Sequence, residues 1–187
     1  TVATSRHFTQ GSLQQSSNSL DVAINGNGFF EVQLPDGTIG YTRDGSFQLD
    51  AQGRMVTSGG LPVANGITVP QGATSISISE TGVVSATIAG NAQPQQLGQL
   101  AMSSFINAAG LQPVGQNMYK ESAASGPPQQ GQPGTNGLGV IKQGFLETSN
   151  VNVVEELVTM IQTQRAYEMN SKAIQTSDQM LAKLSQL

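Results

Sequence analysis

The side chains able to do chemistry are few in this sequence and poorly placed for it. His7 is the single histidine, so any Ser-His-Asp relay would have to pass through it. It stands between Arg6 and Phe8 with no nucleophile elbow or oxyanion loop nearby, and it reads as a surface or packing residue. Cysteine is absent, which removes disulfides, thiol catalysis and thiolate metal sites without fixing a compartment. Gly26-Asn27-Gly28 invites a phosphate-loop reading, but the third glycine of a dinucleotide fingerprint is replaced by Glu31 and a strand, not a helix, follows. Asp36, Asp44 and Asp50 do not fall on the alternate positions of an EF-hand; they read as turn aspartates. The expectation is no catalytic residue, no cofactor and no metal.

The element that stands out instead is the stretch from Asn150 to Leu187. It contains neither Pro nor Gly, in a chain with 22 Gly and 8 Pro. Val153, Met160, Tyr167, Ile174 and Leu181 recur every seventh residue, and Leu157, Ile161 and Leu184 widen the row by one turn. Asn152 with Glu155 three residues on marks the helix start. A helix over the whole stretch would be roughly 57 Å long. The alternate seam positions hold Gln164, Ser171, Asp178 and Ser185, so the seam is half filled. Burying five large side chains contributes roughly 8–15 kcal/mol once a partner covers them. Either the helix lies across its own β domain, or, the preferred reading, it pairs with an absent segment or with other chains.

The rest of the chain reads as β structure. Only 11% of residues are charged and 5% aromatic, a composition suited to turn-rich sheets. The formal charge of −4 argues against nucleic-acid binding, and no apolar run is long enough for membrane insertion. Residues 1–19 read as an extended leading segment. Strands are predicted at Leu20-Val22-Ile24 (alternating), Phe29 to Leu34, Thr38 to Arg43, Ser46 to Asp50 and Arg54 to Thr57. Further strands are predicted at Gly66 to Val69, Thr74 to Ser79, Val83 to Ile88, and from Leu97 towards Phe105. Asn107 to Gly115 is expected to be a turn or short helix, and Asn117 to Lys120 a short strand. Ser125 to Gly139, with three Pro and five Gly, excludes helix and central strand and reads as a linker or surface loop. One strand is predicted over Gly139 to Leu146.

Two regions carry a family resemblance. GFLETSNVNVVEELVTMIQTQRAYEMNSKAIQTSDQMLAKL resembles the C-terminal segment of bacterial flagellar rod and hook proteins, through Ser149-Asn150-Val151, Glu155, Met160-Ile161, Gln164-Arg165-Ala166-Tyr167-Glu168 and Asn170. SNSLDVAINGNGFFEVQLPDG followed by YTRDGSFQLDAQGRMVTSGG resembles that family's β segment. Together they cover about half of the chain, in the family's order. RHFTQGSLQQSSNSLDVAI is most similar to distal rod members. The family's N-terminal helix does not appear, which implies an N-terminally truncated fragment.

The resulting expectation is a mainly β fold. One antiparallel β domain spans 20–140, with a loop at 125–139. A return strand and C-terminal helix at 141–187 would pair with a missing N-terminal helix in a coiled-coil-like inner domain. Helix packing is assigned to Val153, Leu157, Met160, Ile161, Gln164, Arg165, Tyr167, Ile174, Leu181 and Leu184. The resemblance implies a structural distal rod subunit, joined head-to-tail in a helical tube that transmits torque across the periplasm, exported by the flagellar type III apparatus. Its partners would be copies of itself, other rod and hook proteins and the surrounding ring proteins. The alternatives are a proximal rod or hook-like subunit, or, from another class, a secreted β-rich adhesin with an oligomerisation helix. A hydrolase would need a pocket gathering His7 or several carboxylates.

Overall fold

Short runs of β-branched and aromatic residues, cut by glycine and aspartate turns, give strands of three to six residues. The computed structural model describes residues 6–90 and 93–184, with helix side chains as far as Leu181. It divides into two units, Thr1–Ser149 and Asn150–Leu187. Two strands lead into the first, β1 (Leu13–Gln15) and β2 (Val22–Asn25). Two hairpins follow, β3 (Phe29–Gln33) with β4 (Ile39–Thr42), and β5 (Phe47–Leu49) with β6 (Met55–Thr57). A meander is made by β7 (Ala73–Ile78), β8 (Val83–Ile88) and β9 (Gln95–Gln99). Next come β10 (Met102–Ser104), a 3-10 turn at Ala108–Gly110, and the hairpin of β11 (Gln112–Gly115) and β12 (Met118–Lys120). The unit closes with β13 (Gln129–Gly131), β14 (Val140–Gln143) and β15 (Phe145–Glu147). The second unit is one helix, α1 (Val153–Leu184).

All pairings among the named strands are antiparallel. The largest sheet has the order β11-β12-β4-β3-β10-β13. The end of the unit returns to its beginning: β14 pairs with β2 from Val140↔Asn25 to Gln143↔Val22, and β15 pairs with β1 from Phe145↔Gln15 to Glu147↔Leu13. Gly144, at φ 73°, separates the two returning strands.

The main core gathers Val22, Ile24, Phe30, Phe47, Met55, Ile67, Val84, Leu100, Met102 and Ile141 from across these elements. Phe30 and Phe47 meet edge to face at 5.3 Å, the geometry aromatic quadrupoles favour. A second cluster joins Phe8, Phe29, Tyr41, Phe105 and Tyr119. Burial, with Glu31 and Glu121 adding to it, pushes the Tyr41 phenol up to about 12. A free tyrosine titrates near 10, so this contribution to stability is complete below that pH and is lost as pH rises towards about 12. Glu31 is buried, yet its carboxylate accepts from the Ser103 hydroxyl and from Gln130 Nε2 at 3.2 Å. Every described side-chain nitrogen or oxygen that is buried has a partner.

Several expectations need correction. The strand expected at Leu20-Val22-Ile24 is β2, but Val22, Ala23 and Ile24 are all fully buried, so burial does not alternate along it. β14 lies beside β2 in its sheet and core residues cover it. Gly66 to Val69 forms no strand and contributes a single bridge, Thr68 to Arg54. The strand expected from Leu97 towards Phe105 is two, β9 and β10, in different sheets. Asn107 to Gly115 contains the 3-10 turn but also β11. Ser125 to Gly139 is more than loop: β13 forms the edge of the large sheet against β10, and Leu138 enters the main core. An edge position tolerates the Pro and Gly on either side. The strand expected over Gly139 to Leu146 is broken into β14 and β15 at Gly144. Residues 1–5 of the leading segment, Asn91 of one predicted turn, and Ser185 to Leu187 of the helical stretch lie outside the described residues.

Gly45 shows how closely the elements approach. A Cβ there would stand 1.8 Å from the Val22 carbonyl oxygen, and Val22 N–H already donates to the Gly45 carbonyl at 3.0 Å. Gly45→Ala therefore forces β2 away from the β4–β5 turn. The expected cost is about 2–4 kcal/mol, read as a lower melting temperature of the intact chain. An unchanged melting curve would refute this packing. Removing residues 150–187 should leave the strand content of the first unit intact, since that unit is compact by itself; loss of the β signal in far-UV circular dichroism would contradict that division.

Candidate functional site

The chemistry-bearing residues singled out in the sequence are used for folding. Asp36 Oδ1 accepts the Thr38 amide and hydroxyl, Asp44 does the same for Ser46, and Asp50 accepts from Gln52 and Arg54. Each carboxylate thus closes a tight turn. The Lys120 ammonium, followed by Thr38, holds the Asp36 carboxyl well below the usual carboxylate range. Asp50 is also lowered, by hydrogen bonds from Arg54 and Gln52 that outweigh its desolvation. His7 is exposed. No three His, Cys, Asp or Glu residues come together as a metal site among the described residues.

Sequence reasoning missed a clasp centred on Arg43 and Glu147. Arg43 Nε donates to Glu147 Oε2 at 2.9 Å, with the two side chains 16% and 12% exposed. The guanidinium also donates to the carbonyls of Gly26 and Gly28, at 3.2 and 3.0 Å. Glu147 Oε1 accepts the Gly11 amide at 2.8 Å. One ion pair thereby ties the end of β4, the Asn25–Gly28 turn, β15 and the leading segment. The partners are 104 residues apart, so no local pattern announces the pair.

The larger candidate surface is α1. Asn152 caps it: its Oδ1 accepts the Val154 amide at 3.2 Å and its carbonyl accepts Glu156 N–H at 3.1 Å. Glu155 and Glu156 sit in the first turn, where the helix dipole favours negative charge. The helix of 32 residues is about 48 Å long. Val153, Leu157, Met160, Ile161, Gln164, Arg165, Tyr167, Ile174 and Leu181 are all exposed along it. Leu184 ends the helix, and its side chain lies outside the described residues. Tyr167 is 77% exposed, whereas the other aromatic side chains are buried or half-buried. Val154, Val158, Met169 and Met180 are exposed as well and were not assigned from sequence. Val154-Leu157-Val158-Ile161 carries the i, i+3, i+4, i+7 signal that could have found two of them. The helix is not apolar enough to cross a membrane, nor is any other described one.

Residues 23–86 match the family described as flagellar hook protein FlgE/F/G D1 domain, and residues 142–187 match flagellar basal body rod FlgEFG protein C-terminal. A β unit whose polar side chains hold turns, followed by a long helix with exposed apolar rows, is thus a structural protein of the flagellar rod and hook class. The flagellar basal-body rod protein FlgG of Buchnera aphidicola subsp. Acyrthosiphon pisum (strain APS) is 59% identical over 186 residues, spanning 100% of this chain and 72% of that protein. FlgG of Borreliella burgdorferi is 52% identical over 181 residues, covering 96% and 68%. The flagellar basal-body rod protein FlgF of Caulobacter vibrioides is 34% identical over 171 residues, covering 89% and 64%. The chain belongs to the flagellar basal-body rod protein FlgG family; it is a structural rod subunit, most like the distal rod protein.

The clasp makes a prediction of its own. Arg43→Ala leaves Glu147 largely buried without its cation and frees two carbonyls, a change expected to cost about 3 kcal/mol. In a double-mutant cycle with Glu147→Gln, the two effects should be strongly less than additive. Additive, sub-kilocalorie effects in denaturant titrations would mean that the pair is a surface contact and not a clasp.

Proposed function

We propose that this chain polymerises head-to-tail with copies of itself into the helical tube of the distal rod, which transmits torque across the periplasm. In that tube α1 packs in an inner coiled-coil-like layer against an N-terminal helix of the family, and the β unit stands in the layer outside it. The protein acts as a structural shaft and not as an enzyme. Its neighbours are other rod and hook proteins and the surrounding ring proteins, and it reaches its place through the flagellar type III export apparatus.

The observation that carries this reading is the exposed row Val153, Met160, Tyr167, Ile174 and Leu181, on the segment that matches the rod C-terminal family. Apolar side chains repeated every seven residues and left in water are those of an association helix. A proximal rod or hook-like role fits less well, since the FlgG relatives match at 42–59% identity and the FlgF relative at 34%. An adhesin is disfavoured by the same matches.

The test is made in the full-length protein in cells. Met160→Asp and Tyr167→Asp each put an uncompensated charge into the packed seam, a penalty of several kcal/mol per subunit. Both should block rod polymerisation and swimming. Lys172→Asp, which reverses an exposed charge, should have a much smaller effect, because an exposed charge four residues from Glu168 is worth at most roughly 0.2–0.5 kcal/mol. Normal rods and normal motility in the Met160 and Tyr167 variants would overturn the assembly role of the helix.

A further inference from the structure

Asparagine followed by glycine is the sequence step most open to self-catalysed deamidation, because no side chain shields the following amide nitrogen. The chain has four such steps: Asn25-Gly26, Asn27-Gly28, Asn65-Gly66 and Asn136-Gly137. Three are held. Asn25 ends β2 in register with Val140; its Oδ1 accepts from Gln10 Nε2 at 3.3 Å while the Gly26 amide donates to Gln10 Oε1 at 3.0 Å. Asn65 Nδ2 donates to the Gln99 carbonyl at 2.8 Å, and the Gly66 amide donates to the Val63 carbonyl at 3.0 Å. Gly28 is buried, with Met102 Cε 2.6 Å from where its Cβ would stand, and its carbonyl accepts from Arg43.

The fourth step is different. Asn136 and Gly137 are both exposed, with φ of 51° and 77°, at the tip of a turn closed by Leu138 N–H donating to the Thr135 carbonyl at 2.8 Å. No hydrogen bond engages the Asn136 side chain or the Gly137 amide among the described residues, and no atom lies within 4 Å of the Cβ position at Gly137. Opening the tip of this turn breaks one hydrogen bond, from Leu138 N–H to the Thr135 carbonyl, whereas freeing the other three steps means unpicking a strand, a side-chain bridge or the core.

We propose that Asn136-Gly137 is the deamidation site of the folded chain. Solvent base removes the Gly137 amide proton, and the nitrogen bonds to Asn136 Cγ. The Cγ–Nδ2 bond breaks, and the nitrogen leaves as ammonia with a proton taken from water. Water then opens the succinimide at either carbonyl, giving aspartate or isoaspartate. The net change is one water consumed, one ammonia released and one new carboxylate. That charge appears on a groove also lined by Phe8, Arg43 and Ile106, and it adds a negative charge to a chain already at −4.

The intact chain is incubated in mildly alkaline buffer, folded and in urea, and its peptides are mapped by mass spectrometry with isoaspartate detection. In the folded chain, Asn136 should convert at least about ten-fold faster than Asn25, Asn27 or Asn65. In urea the four rates should converge, and Asn136→Ser should remove most of the folded-state conversion. Comparable rates at all four steps in the folded chain would overturn the proposal. So would an Asn136 that stays unchanged in the folded chain while reacting in urea.

Discussion

The β unit depends on one closure, the return of residues 140–147 onto residues 13–25. Bringing β14 beside β2 closes a loop of more than a hundred residues, an entropy cost that rises only logarithmically with loop length but arrives before any contact repays it. Repayment comes through Ile141, which enters the same core as Val22, Ile24 and Phe30. Polar groups on the returning strands then fix what the core has gathered. Gln143 Oε1 accepts the Ile78 amide at 3.0 Å, and its Nε2 donates to the Ile76 and Ser19 carbonyls at 2.9 and 2.6 Å. A single side chain thereby satisfies backbone groups on β7, an edge of the meander, that would otherwise present an open ladder. Glu147 does the equivalent for Arg43 and the leading segment. Two acceptor-bearing residues, four apart, thus lock the meander and the first hairpin to the chain that closes them.

Hairpins were legible in the sequence because their causes are local. Asp36-Gly37 and Asp50 to Gly53 bring their own turn chemistry, and the strands on either side lie within a residue or two of their predicted bounds. Asn152 announced the helix start for the same reason. Legibility failed where partners were distant. Nothing in Gln129-Gln130-Gly131 signals a strand; it becomes one because Ser103 and Ser104 offer a free edge and Glu31 accepts from Gln130. Val22-Ala23-Ile24 looks half-buried until β14 and the core enclose it. Arg43 and Glu147 look like ordinary solvated charges until the closure desolvates them. The family resemblance was readable because it rests on long segments whose order survives, independently of these long-range contacts.

The two units handle their surfaces in opposite ways. In the β unit, seven of the chain's nine aromatic residues form ring contacts with one another, and buried polar atoms are paired. The helix keeps Tyr167 and its neighbours in water, an arrangement that lowers its own stability, since isolated helices gain most of theirs from packing an apolar face. A chain built this way carries its rigidity in one part and its capacity to associate in the other.

The layout of that capacity points beyond a single pairing. A row repeated every seven residues drifts about 20° per heptad on a straight helix, so Val153 to Leu181 drifts about 80° over four heptads. Keeping it against one partner requires a left-handed supercoil. Counting about 100° per residue, Val154, Val158, Met169 and Met180 fall on the flank and far side of the helix from that row, where no partner following the seam can reach them. A helix apolar on more than one face is buried on more than one face in its native setting. In the tube proposed above, the heptad row would serve one helix partner, and these remaining residues would serve the neighbouring subunits packed around it.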